Sequence, residues 1–270
     1  MNTLEASSPS TNRAAQLTAI VMDADVANAL WAAVDSGQIA ELVPEIPLLA
    51  MEQDPIHRHK DVLAHTIAVV AKTPADESVR LAALFHDIAK PATRRFDHGG
   101  VTFRHHEAVG ARMTRHRLTE LGYPQQFVDQ VSELVRLSGR FKGYSDGWSD
   151  AAVRRYAREA GPLLGRLNNL VRADCTTRNR QKLAELHRLI DELEARIADL
   201  AVQDRKAAER PQLDGKAVMQ HLGVGPGHHV GAALKWLLEL KRTEGLLDEA
   251  EVLSRLDQWW RQYQNQTNRK

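Results

Sequence analysis

Apolar residues recur at helical spacing through most of this chain, and strict alternation is almost absent. The pattern predicts helices over 13–20, 23–36, 59–73, 77–90, 104–121, 124–138, 150–159 and 162–176. Pro44, Pro47 and Pro55 break the connection between the second and third of these. One pair of short strands is predicted in TRRF-DHGG-VTF, residues 93–103, where glycines supply the turn. From about Asn179 to Glu209 the apolar positions Leu183, Leu186, Ile190, Leu193, Ile197 and Leu200 are spaced 3, 4, 3, 4, 3. That is a heptad seam, suited to packing along a neighbour in the same chain or to a coiled coil with a second copy. Its shortness favours the first. Pro211 ends this helix, and Leu213–Gly223 with Gly231–Trp260 form a small helical tail. The expected fold class is all-α.

Composition narrows the function classes. Lysine plus arginine is 36 and aspartate plus glutamate 35, a net charge of +1, so bulk charge does not announce a nucleic-acid binder. The single cysteine excludes an intramolecular disulfide. No apolar run approaches the roughly 18–20 residues of a membrane span, and the polar start MNTLEASSPSTNR lacks a signal-peptide core. A cytoplasmic protein without membrane contact is expected, with a disordered tail over 1–12. Aromatic residues are only 5%, so the core must rest on Leu, Val, Ile and Ala. Of the 12 histidines, seven fall between His57 and His106. A histidine cluster of this kind is where a metal is sought first.

The informative residues are polar groups on helix faces that ought to be apolar. His65 lies in the stripe of Val62, Thr66 and Val69, and His86 and Asp87 interrupt the apolar run from Val79 to Ile88. His106 starts the face continued by Val109, Gly110 and Met113, and Leu163, Leu167, Leu170 and Val171 lead by helical steps to Asp174. One inward histidine is usually a hydrogen-bonded core residue. Buried carboxylates are different, because an unpaired buried charge costs several kcal/mol and demands a partner. A buried His–Asp network is the competing explanation, but recurrence on four helices favours a mixed N/O site for a divalent metal.

FHDIAKP around His86-Asp87, with His65 upstream and Asp174 downstream, resembles the HD superfamily of metal-dependent phosphohydrolases. The resemblance implies metal ligation by His65, His86, Asp87 and Asp174, and His106 matches a histidine that two-metal members add. HRHKDVLAHT, HHEAVGARMTR, AVRRYAREAGPLL, ADCTTRNR and RPQLDGKAVMQHLGV look like the C-terminal body of actinobacterial-type CCA-adding tRNA nucleotidyltransferases. That likeness covers roughly residues 20–262 and implies an HD helical bundle with one short β-hairpin, then a long helix and a helical tail. The expected domains are a tail at 1–12, a helical neck at 13–56, an HD domain at 57–178, the long helix at 179–210 and the tail at 211–264. Nothing before residue 60 resembles the Gly-rich loop or paired carboxylates of the transferase head. Asp23 and Asp25 read as capping chemistry. Nucleotide addition is therefore not expected, and Met1 favours a free-standing HD protein. Where related domains carry histidine this chain has Ser138 and Lys142, which argues against a second ion. Ala89 replaces the usual glycine after the doublet and is expected to suit a helix.

Mixed His/Asp ligation suggests Mn²⁺, Fe²⁺, Co²⁺ or Ni²⁺, with Mg²⁺ admitted. Asp87 and Lys90 are the expected catalytic residues, with Lys90, Arg94, His105 and His106 facing a phosphate. His57, Arg58 and His59 precede the first ligand helix and read as a solvated face. Basic residues at Arg154, Arg155, Arg158, Arg166, Arg172, Arg178, Arg180 and Lys182 leave RNA binding open, although acids are interspersed and stacking aromatics are few. Cys175, beside the last ligand, reads as a packed small residue. The function expected is hydrolysis of a phosphate ester of a nucleotide, cyclic nucleotide or RNA end. The rivals are a non-catalytic tRNA- or RNA-binding module and a di-iron redox enzyme, the last disfavoured by Ser138.

Overall fold

The computed structural model describes residues 9–51, 61–97, 100–177 and 179–267. Helices α1 (Pro9–Val21), α2 (Val26–Asp35) and α3 (Gln38–Leu42) open the chain. Helix α1 starts inside the expected tail, with Pro9 at a first turn where proline costs no hydrogen bond. Helix α2 starts three residues later than the pattern predicts because Asp25 caps it, accepting from the Asn28 N–H at 3.3 Å. Asp23 in turn accepts from the Asp25 N–H at 2.7 Å, so Asp25 does the capping read from the sequence and Asp23 holds the cap residue rather than the helix.

Helix α4 (Val62–Lys72) is capped by Asp61, and α5 (Glu77–Phe85) by Asp76. Short helix α6 (Lys90–Thr93) leads into strands β1 (Arg94–Asp97) and β2 (Gly100–Phe103), an antiparallel pair in register Arg94↔Phe103 to Asp97↔Gly100. This is the expected hairpin; its turn residues His98 and Gly99 lie outside the described residues, as do His57, Arg58, His59 and Arg178. Helices α7 (His106–Leu121), α8 (Gln125–Leu137), α9 (Asp150–Ala160), α10 (Leu164–Asp174) and α11 (Arg180–Ala208) follow. Helices α12 (Gly215–Leu222), α13 (His228–Glu244) and α14 (Glu249–Thr267) complete the chain. Among the described residues the architecture is all-α apart from the hairpin.

Two differences from the sequence pattern have local causes. The helix expected over 77–90 stops at Phe85, and residues 86–89 form a turn. A continuous helix would drive the Pro91 ring against the Asp87 carbonyl and remove a backbone donor. Ala89 thus sits in a turn rather than in the helix expected for it. The tail stretch Gly231–Trp260 is likewise broken, at Gly245, whose φ of 82° suits glycine.

The chain divides into two compact units, residues 1–198 and 199–270, with the boundary inside α11. In the first unit α5 packs against α4, α8 and α10, while α7 lies on α8. Every residue from Ser78 to Lys90 is buried, which is why this segment shows no outward polar face. Ile190 and Leu193 of the heptad seam are fully buried, and Arg172 of α10 pairs with Glu194 of α11 at 2.7 Å. That part of the seam therefore packs along its own chain. The second unit closes α12, α13 and α14 around Val218, Ala233, Leu237, Val252 and Leu256.

Candidate metal centre

Three elements of the first unit bring the predicted ligands together. His65 projects from α4, His86 and Asp87 from the turn after α5, and Asp174 from the last residue of α10. His65 Nε2 lies 3.1 Å from Asp174 Oδ1 and 3.7 Å from Asp87 Oδ2. His86 Nε2 lies 3.2 Å from Asp87 Oδ2 and 3.5 Å from Asp174 Oδ1. His106, the first residue of α7, brings its Nε2 to 3.7 Å from Asp87 Oδ1. Asp87 is the hub. Its carboxylate is buried, and Lys90 Nζ donates to Oδ2 at 2.7 Å.

The three imidazoles each turn Nε2 toward the Asp87 carboxylate. His86 Nδ1 is 2.7 Å from the Ala83 carbonyl, and His106 Nδ1 is 2.8 Å from the Phe103 carbonyl. A carbonyl can only accept, so each Nδ1 carries a proton and each Nε2 is the ring nitrogen turned toward the acids. His65 Nδ1 meets the Thr176 hydroxyl at 3.0 Å. Anchoring the far ring nitrogen is the arrangement that orients metal-binding histidines.

Electrostatics favour a cation here. Burial opposes a charge on His86, but Asp87 and Asp174 outweigh it and push its pKa up to about 10. Burial likewise opposes the Asp87 charge, and His86 with Lys90 overcomes it, holding the carboxyl well below the usual carboxylate range. His86 Nε2 is nonetheless a buried nitrogen with no hydrogen-bond partner. A partnerless nitrogen facing two carboxylates fits a divalent ion, and ligand atoms of His65, His86 and Asp87 all lie within 4.8 Å of one another.

The cluster forms one wall of a cavity of about 440 Å³. Phe103, His106, Ser138, Gly139 and Lys142 line the rest. Lys90 is buried and turned to Asp87, with its ammonium 5.6 Å from the Phe103 ring centre. Arg94 and His105 do not line this cavity. Arg94 lays its guanidinium over Phe96 at 4.8 Å, and His105 is exposed in a left-handed conformation at φ 61° before α7. Thr176 and Glu107 went unnoticed in the sequence. Glu107 pairs with Lys142 at 3.2 Å and also contacts His106 Nδ1 at 3.4 Å. Only three-dimensional proximity reveals Thr176, since 111 positions separate it from His65.

A family model described as HD domain matches residues 62–258. The chain belongs to the HD domain family. The doublet naming that family falls on His86-Asp87 at the hub of the site. The HD chain is 34% identical over 236 residues to a CC-adding tRNA nucleotidyltransferase of Thermus thermophilus, covering 83% of this chain and 51% of the relative. It is 29% identical over 252 residues to an A-adding tRNA nucleotidyltransferase of Deinococcus radiodurans, covering 90% and 57%. This HD chain thus spans about half the length of the curated relatives it matches. No helix among the described residues is long and apolar enough to cross a membrane.

Two of the basic residues on α9 to α11 are held in ion pairs. Arg166 pairs with Asp76 at 2.9 Å, and Arg172 with Asp191 and Glu194 at 2.7 Å each. Aromatic residues, expected to be few, form a stacked group in the second unit. Trp259 stacks on Tyr263 at 4.9 Å, Trp260 on Tyr263 at 5.7 Å and Trp236 on Trp259 at 5.7 Å.

Proposed function

We propose that this HD chain is a metal-dependent phosphohydrolase acting on a phosphate ester of a nucleotide, cyclic nucleotide or RNA end. One observation carries the reading: three imidazoles, each anchored through Nδ1, turn Nε2 toward the buried Asp87 carboxylate. His65, His86, Asp87 and Asp174 would hold one divalent ion, with Mn²⁺, Fe²⁺, Co²⁺ or Ni²⁺ suiting the donor set and Mg²⁺ admitted. Such an ion lowers the pKa of water and neutralises charge on phosphoryl oxygens. The residues supply the rest. Asp87 is placed to accept a proton from an attacking water, and Lys90 keeps that carboxylate ionised. The Lys142 ammonium faces the cavity and offers an anionic phosphate a cationic partner. His106 Nε2 points into the same space as a donor or acceptor, according to its proton. Arg94 and His105 would reach a phosphate only by turning from the positions they hold.

Metal analysis of the purified chain tests this reading together with a phosphatase screen over nucleotides and 2′,3′-cyclic phosphates. The expected result is close to one divalent transition ion per chain and turnover of at least one ester. An ion-free protein inert toward every ester overturns it. The second reading is a non-catalytic RNA-binding module, favoured by the Trp236, Trp259, Trp260 and Tyr263 stack and by relatives named for adding nucleotides to tRNA. An inert chain that still retains tRNA on a gel would select it.

A further inference from the structure

A second cavity, of about 290 Å³, adjoins the metal centre. Ser138, Lys142 and Asp174 line both, so the two spaces meet at these three residues. Their chemistry differs sharply. The first is walled by imidazoles, carboxylates and ammonium groups, whereas Phe141, Val171, Leu186 and Leu189 wall the second. Its aromatic side is held in place from behind. Phe141 stacks on Tyr144 at 5.4 Å, Trp148 meets Tyr144 edge-on at 5.3 Å, and the Tyr144 hydroxyl donates to Glu192 at 3.1 Å. Ser145 and Cys175 add polar atoms at the border of this apolar space.

We propose that this second cavity is a nucleobase subsite, so that the ester hydrolysed is a single nucleotide whose base lies between α10, α11 and the 141–145 turn. The assignment of the phosphate end rests on the metal-centre reading above. Size and chemistry carry the base end. A volume near the lower limit of small-molecule sites, roughly 300 Å³, accommodates one base and excludes a run of several. An alkyl group would use the apolar walls alone, whereas Ser145 and Cys175 border those walls with polar atoms. A planar heteroaromatic ring lays its faces on Leu186, Leu189 and Val171 and turns edge nitrogens and oxygens to those polar atoms. Lys142, at the junction, then lies beside the sugar-phosphate link.

Calorimetric titration of the full chain after EDTA treatment tests the base end without the ion. Adenosine and cytidine are the probes, with ribose and butyl phosphate as controls. At least one nucleoside is expected to bind and neither control to do so. Leu186→Trp, which fills the cavity from a half-buried position, should weaken nucleoside binding about tenfold or more. Leu189→Phe, a smaller intrusion, repeats the measurement if circular dichroism shows that Leu186→Trp has unfolded the protein. Absence of nucleoside binding, binding unchanged in the folded variants, or binding of butyl phosphate in place of nucleosides overturns the subsite. Nucleoside binding by a chain inert toward every ester would sustain the subsite and sink the hydrolase reading, so the two failures are distinct.

Discussion

Helices α5 and α8 pack against each other and end on the same cavity in the same way, yet only one end bears metal-binding chemistry. His86 closes α5 at φ −59°, ψ −32°, and Ser138 closes α8 at φ −53°, ψ −34°. His86 bonds the Ala83 carbonyl at 2.7 Å, and Ser138 bonds the Val135 carbonyl at 2.9 Å. Four residues on, Lys90 pairs with Asp87 and Lys142 pairs with Glu107. The difference lies in two side chains, His-Asp at one end and Ser-Gly at the other. Imidazole has a second nitrogen left over for the cavity. A hydroxyl that has given its proton to the backbone keeps only a weak oxygen acceptor. Gly139 leaves the space that Asp87 fills at the other end, and the Glu107 carboxylate occupies it. Backbone geometry alone therefore does not make a metal site. The surplus donor does.

The largest effect separating the two ends should come from removing the acid of each ion pair. Asp87→Ala leaves Lys90 buried without its counter-charge, which costs about 3–5 kcal/mol, and is expected to abolish the ion binding proposed above. Glu107→Ala leaves an exposed Lys142, and His106 keeps its Phe103 carbonyl, so the cost should be less than about 1 kcal/mol. Urea unfolding with metal analysis checks both; equal costs, or full occupancy in Asp87→Ala, would break the comparison. Next come the helix ends themselves: His86→Ala should lose the ion and Ser138→Ala should keep it, read by the metal content of each purified variant. Ser138→His should then take up additional Mn²⁺ or Ni²⁺ opposite His106, at a stability cost within about 1–2 kcal/mol. A titration giving two ions for the unaltered chain would show that serine never weakened a second site.

The smallest effect lies at the opposite ends of the two helices. Helix α8 starts after Pro124 with no side-chain cap, whereas Asp76 caps α5 by accepting from the Val79 N–H at 3.2 Å. Burial works against the Asp76 charge, but Ser78, Arg166 and the Val79 N–H outweigh it and hold the carboxyl below its ordinary 3.8. Its folded pKa is the lower one, so its stabilisation is full above 3.8 and is lost as pH falls through the depressed value. Asp76→Ala should cost about 1 kcal/mol at neutral pH and less in acid, measured by thermal melts across that range.

The helices were legible because their inward stripes are regular, and the ligands because a polar residue in such a stripe requires a reason. His65, His86, Asp87 and Asp174 stood out on that ground and converge. The break after Phe85 was less visible, since residues 78–90 are buried in helix and turn alike and periodicity does not register the change. Pro91 was the available signal. The aromatic stack of the second unit was illegible because Trp236 comes from α13 and Trp259 from α14, so their pairing exists only after those helices meet. Lys142 was read merely as a missing histidine, and its partner Glu107, 35 positions away, carried no local mark.

His65 differs from the other two imidazoles in what anchors it. His86 and His106 are fixed by carbonyls three positions back in the chain, whereas His65 leans on Thr176 from 111 positions away. Helix α4 and the end of α10 must therefore close a long loop before the set of ligands exists, and closing such a loop carries an entropic cost. An ion gripped by His65 and Asp174 together would act as a reversible cross-link over that loop, resisting the separation of its ends much as a covalent bridge does. Chelation should accordingly loosen the junction between these two segments first, so that proteases reach residues 175–177 before they reach the α7–α8 hairpin.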